Sequence, residues 1–104
     1  MELRVKRIQL TANSSTELKN GSAHGNTDVI VYLESGQKFI ASFFTYSNIL
    51  DMQKLHQIDG SFLNGSYFWD RNMVLVKDCT MQAIGPVVND LIDEGNFRYA
   101  FREL

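Results

Sequence analysis

A single cysteine, Cys79, leaves this chain without a partner for an internal disulfide, and its single proline, Pro86, falls where a helix is expected. A lone thiol agrees with a reducing compartment, so the cytoplasm is the expected location. Histidine is nearly as scarce: His24 lies in a glycine-rich stretch and His56 on a helix flank, and no spacing of His, Cys or carboxylates suggests a metal site. There is no Gly-x-Ser-x-Gly elbow and no glycine-rich phosphate cradle after a strand. No catalytic residue, cofactor or metal is therefore assigned. Net charge is small as well. A formal net charge of -2 and a pI near 5.6 give no long-range attraction for phosphate, which argues against nucleic acid as a partner. No run approaches the roughly 18 apolar residues that span a bilayer. The charged segment Met1–Arg7 lacks the apolar core of a signal peptide, so no membrane association is expected.

What the chain does have is apolar and aromatic side chains. A hydrophobic content of 44% is enough for one core, and residues 1–104 are expected to form a single domain without covalent staples. Eight of the twelve aromatics fall between Phe39 and Trp69, which directs attention to the middle of the chain.

Residues 2–10 alternate as a strand at Leu3 and Val5. They resume one step out of phase at Ile8 and Leu10, as a bulge around Lys6 and Arg7 would produce. The basic group Arg4, Lys6, Arg7 suits a solvated sheet edge. Residues 11–27 are rich in Ser, Asn, Gly and Thr and are expected to be a flexible loop. Asp28–Leu33 and Lys38–Phe44 are β-branched and aromatic runs around Glu34-Ser35-Gly36-Gln37, a hairpin signal. With Ser35 and Gly36 as the turn, Tyr32 faces Phe39 and Val31 faces Ile40. Both sheet faces are then apolar, and each needs a cover.

Thr45 or Ser47 can cap a helix from about Tyr46 to Gly60, with Ile49, Met52, Leu55 or His56, and Ile58 at helical spacing. Asn64-Gly65 marks a turn, and Tyr67–Trp69 is expected to pair with Met73–Val76 across Asp70-Arg71-Asn72. Thr80 opens a second helix whose stripe Ile84, Val87, Val88, Leu91, Ile92 is strongly amphipathic and which Gly95 ends. Pro86 inside it calls for a kink or for a start near Pro86. A short terminal helix holding Phe97 and Phe101 is preferred over a strand. The fold class is α+β: a mainly antiparallel sheet of four to five strands packed by two main helices.

For function, Tyr67, Phe68, Trp69, Asp70 and Arg71 are the candidate interaction residues. In a strand Phe68 points opposite to its two neighbours, so some ring area must leave the core, with Asp70 and Arg71 at its rim. The expectation is a non-catalytic protein-interaction module that binds a protein partner or forms a homodimer. An alternative is a small-molecule binder or enzyme with an aromatic pocket near Trp69 or Tyr67, using Cys79, His56 or Asp70 for polar contacts. In Cys79 the adjoining helix start would favour the thiolate while Asp78 opposes it, and a structural role is preferred. A third reading is an immunity or antitoxin-like protein that binds a basic partner through Asp90, Asp93 and Glu94.

Leu33-Glu34-x-Gly36, Ala41-x-Phe43-Phe44-Thr45, Asn48-Ile49, Gly65-x-Tyr67-Phe68-Trp69, Asn72-Met73-x-x-Val76, Thr80, Ile84 and Asp90-Leu91-Ile92-x-Glu94-Gly95-x-Phe97 resemble a group of small uncharacterised bacterial proteins. The resemblance covers about residues 28–101. It implies a hairpin, a helix, an aromatic hairpin and a final helix, and it carries no activity, cofactor or catalytic residue onto these positions.

Overall fold

The computed structural model describes residues 3–11, 21–22 and 25–104. In chain order the elements are β1 (Val5–Thr11), β2 (Gly21–Ser22), β3 (Asn26–Leu33), β4 (Lys38–Thr45), α1 (Tyr46–Asp59), a left-handed turn α2 (Ser61–Gly65), β5 (Met73–Val76), β6 (Cys79–Thr80), α3 (Met81–Asp93), α4 (Phe97–Ala100) and β7 (Arg102–Glu103). The fold is α+β, with a five-stranded, mostly antiparallel sheet ordered β1-β3-β4-β5. β7 pairs with β4, and β2 pairs separately with β6. Most of the expected loop 11–27 lies outside the described residues, as does His24.

The hairpin between β3 and β4 corrects the expected pairing by one residue. Gly36, at φ 97°, donates its N–H to the Leu33 carbonyl at 3.0 Å, and the Leu33 N–H donates to Gln37 at 2.9 Å. This makes a three-residue loop with glycine in the left-handed position, where a two-residue turn was expected. Val31 therefore faces Phe39, Ile30 faces Ile40 and Tyr32 faces Lys38. A one-residue slip exchanges the faces of every side chain on a strand. Val29, Val31, Leu33, Phe39, Ala41 and Phe43 all point into the core, while Asp28, Ile30, Tyr32, Lys38, Ile40 and Ser42 share the other face. That second face is mixed: Arg7 stacks its guanidinium 3.9 Å from the Tyr32 ring centre, and Ser42 Oγ donates to Asp28 at 3.1 Å. The expectation that both faces are apolar does not hold.

β1 forms the edge, and its register shifts between Val5 and Arg7, where the bulge was expected. The other edge of β4 is divided. Phe39 and Ile40 pair antiparallel with β7, and Ser42–Thr45 pair parallel with β5. The expected second hairpin does not form, because Met73–Val76 joins β4 and residues 67–70 form no strand. β5 finds an open ladder on β4, and the Ser42 N–H already donates to Asn72 at 2.9 Å as the chain enters it.

α3 and α4 cover the core face. Thr80 caps α3 by accepting the Ala83 N–H at 3.3 Å, and Ile84 and Val88 are fully buried. The helix begins at Met81 and runs through Pro86. Gly85 has no Cβ to collide with the proline ring, which eases the usual conflict at the preceding residue. Asn96 donates to Leu91 at 2.8 Å and Gly95 to Ile92 at 3.1 Å, closing the helix end. Beyond it Phe97 stacks on Phe101 with centroids 4.6 Å apart, and both rings reach the sheet, Phe97 at Phe39 and Phe101 at Phe43.

α1 behaves differently. Thr45, fully buried at the end of β4, accepts the Asn48 N–H at 3.0 Å and the Gly25 N–H at 3.1 Å, and its own N–H donates to Gly25 at 2.9 Å. From this fixed base the helix departs from the sheet. His56 is the only buried residue of α1, and none of its residues belongs to the core cluster.

Candidate functional site

The chain after α1 makes a hook. Gly60, at φ 85°, stops the helix, and Phe62, Leu63 and Asn64 follow with φ of 53°, 53° and 57° before Gly65 at 77°. Three consecutive non-glycine residues in the left-handed region cost roughly 1–2 kcal/mol each. Several contacts offset that strain. Ser61 donates its N–H to the Asp59 carboxylate at 2.9 Å, and this bond, then one from the Ser61 hydroxyl, holds the Asp59 carboxyl below its ordinary range. Ser66 donates to Phe62 at 3.0 Å and to Leu63 at 3.2 Å, and Gln53 Nε2 donates to Gly65 at 3.3 Å. The Phe62 ring lies 4.8 Å from His56, 5.1 Å from Phe68 and 5.4 Å from Tyr67.

This hook decides where the aromatic run points. Phe68 turns inward, edge-on to Phe44 at 5.4 Å and stacked near His56 at 6.1 Å. Tyr67 and Trp69 turn outward, 52% and 63% exposed. The split between Phe68 and its neighbours was read from strand alternation, but an irregular segment anchored by one ring produces it. Asp70 accepts the Arg71 N–H at 2.7 Å, and Asn72, at φ 50°, leads into β5. Trp69, Asp70 and Arg71 form one bank of a groove of about 320 Å³ whose other bank includes Asp28, Ser42 and Arg102. Its polar groups carry both signs of charge.

A smaller cleft of about 180 Å³ opens between α1 and the hook, lined by Ile49, Gln53, His56, Gly65, Ser66, Tyr67 and Phe68. His56, expected on a half-exposed flank, is 8% exposed, and its Nδ1 has no hydrogen-bond partner. The Asn48 Oδ1 is likewise buried and unpartnered. Of the residues expected around an aromatic pocket, the cleft brings together Tyr67 and His56 but not Trp69, Asp70 or Cys79; the left-handed turn that shapes it has no local signature beyond its two flanking glycines.

Cys79 is fully buried, and its thiol faces the carbonyls of Phe43 at 3.8 Å and Gly25 at 3.9 Å. Burial, and then the Asp78 charge, push the thiol up to about 11. It lines neither the groove nor the cleft. Asp78 accepts from the Thr80 hydroxyl and, at 3.1 Å, from the Thr80 N–H; these bonds keep its carboxyl below the ordinary range. Asp90, Asp93 and Glu94 are exposed at the far end of α3. Among the described residues no group of three or more His, Cys, Asp or Glu could hold a metal ion, and no helix is long and apolar enough to cross a membrane.

The chain matches no protein-family model, no curated protein and no solved structure.

Proposed function

We propose that this protein is a non-catalytic, cytoplasmic interaction module that contacts a protein partner through the hook, with Tyr67 and Trp69 as anchors and Asp70 and Arg71 at the rim. One observation carries the reading. Three of the eleven large hydrophobic side chains exposed among the described residues, Leu63, Tyr67 and Trp69, fall within residues 63–69. Such a concentration rimmed by polar groups is the composition of binding hot spots, in which aromatic anchors dominate the energy. The Tyr67 ring, edge-on to Phe62 at 5.4 Å, supports the same reading, because an anchor already oriented loses less freedom on binding. Affinity capture from the host's lysate with the intact protein and with Trp69→Ala tests it. A specific protein held by the first and lost by the second is the expected result. Equal retention by both would remove Trp69 from the contact.

The buried, unpartnered His56 Nδ1 favours a second reading, in which the cleft beside it takes a small molecule that stacks on Tyr67 or Phe68. A metabolite that raises the melting temperature of the intact protein, with no protein captured, would be the signature of that role.

A further inference from the structure

α1 carries its inward residues, Asn48, Ile49, Met52 and His56, on one side. At 3.6 residues per turn the opposite side is the line Ser47, Asp51, Lys54, Ile58, with Leu50 and Leu55 flanking it. All six are exposed; Leu50 is at 59%, Leu55 at 56% and Ile58 at 84%. Leu50, Leu55 and Ile58 thus place exposed apolar area around the charged pair Asp51 and Lys54. The sheet and the hook cover only the inward side.

We infer that this open side pairs with the same side of α1 in a second copy of the chain, the two helices antiparallel about a two-fold axis at the level between Met52 and Gln53. An isologous contact requires each residue to find its complement at the mirrored position of its own sequence. Here Asp51 faces Lys54 of the partner subunit, and Lys54 faces Asp51 of the partner subunit. Leu50 packs on Leu55 of the partner subunit, and Ser47 leaves room for Ile58 of the partner subunit. Each of these pairs recurs through the axis. A parallel two-fold arrangement would instead set each charge against its own kind. Asp51 has an interaction within its own chain, and a carboxylate has acceptor capacity for a second donor.

One four-turn helix face is small beside the roughly 800 Å² per partner of a standard interface, so the dimer is a weak, concentration-dependent one. It does not rest on the hook surface proposed above. Mass reports the one and lysate capture the other, so either can fail alone.

Sedimentation equilibrium of the full chain tests the inference. The wild type should move from one copy toward two as concentration rises. Asp51→Lys and Lys54→Asp should each weaken self-association by roughly tenfold or more, since each places like charges together. An equimolar mixture of these two variants sets two cations opposite two carboxylates and should recover the dimer, as should the double variant. Ile58→Glu should abolish it. A wild type that stays monomeric throughout, a folded mixture that does not recover, or a dimer indifferent to Ile58→Glu would overturn the proposal. Should a single charge variant fail to fold, the double variant and Ile58→Glu decide alone.

Discussion

Gly65 and Gln53 are so close that a Cβ on the glycine would stand 2.7 Å from the Gln53 carbonyl oxygen. That approach seats the hook on α1. Because Gly65 also has φ 77°, Gly65→Ala combines a backbone clash with an unfavourable conformation. The expected cost is about 2 kcal/mol or more, read as a lower urea midpoint at unchanged slope. Gly36→Ala is the control. It has φ 97° but open space around the added methyl, and it should cost less.

Trp69 and Phe68 are neighbours with opposite fates. Trp69→Ala should leave stability within about 0.5 kcal/mol, since the ring is mostly in water. Phe68→Ala removes a ring packed on Phe44 and Phe62, and a loss of about 3 kcal/mol is expected. Chemical denaturation of the two variants in parallel provides the measurement. Equal losses would show that the outward and inward assignments are wrong.

The Cys79 thiol should resist labelling by an aromatic disulfide reagent at neutral pH and react only at the rate of unfolding. Its folded-state value lies above that of the free thiol, 9.0 raised to about 11. The stabilisation is therefore fully present below pH 9 and is lost as pH rises toward 11. Unfolding curves across that window should fall more steeply for the wild type than for Cys79→Ala.

Asp78 and Asp59 give the opposite sign. Both carboxyls are depressed from 3.8 by hydrogen bonds, to Thr80 and Ser61 respectively, so their contribution is present above pH 3.8 and disappears as pH falls through the folded value. Asp78→Asn should flatten the acid limb of the stability profile. Thr80→Ala removes both the α3 cap and the hydroxyl that holds Asp78. It should cost about 1 kcal/mol at neutral pH and, with Asp78 less depressed, also flatten the acid limb.

The elements with strong local signals were legible in the sequence. The capped stripe of α3, the bulge in β1, the stop at Gly60 and the α+β class all follow from residue type and period. What could not be read depended on contacts between distant segments. The β3–β4 loop holds three residues where two also fit the same letters, and that single difference moved Phe39 from opposite Tyr32 to opposite Val31. The surplus apolar surface expected on the sheet therefore belongs to α1 and the hook, where Leu50, Ile58 and Leu63 stand in water. The outward Trp69 was anticipated from strand alternation, yet the position comes from Phe62 and Phe68 locking a left-handed turn against His56. Asp78 pushes the Cys79 thiol up, as its place beside it suggests, but the larger cause is full burial, which the local sequence does not reveal.

Thr45 ends β4, caps α1 and clamps Gly25 with the same few atoms, so the junction contains no residue free to act as a joint. The 14-residue helix beyond it is a rod about 21 Å long, held at its root by Thr45 and further along by the hook at Gln53 and His56. Losing the Thr45 hydroxyl would free the α1 cap and the Gly25 N–H at one stroke, so amide protection at Asn48 and Gly25 is expected to fall together in Thr45→Val.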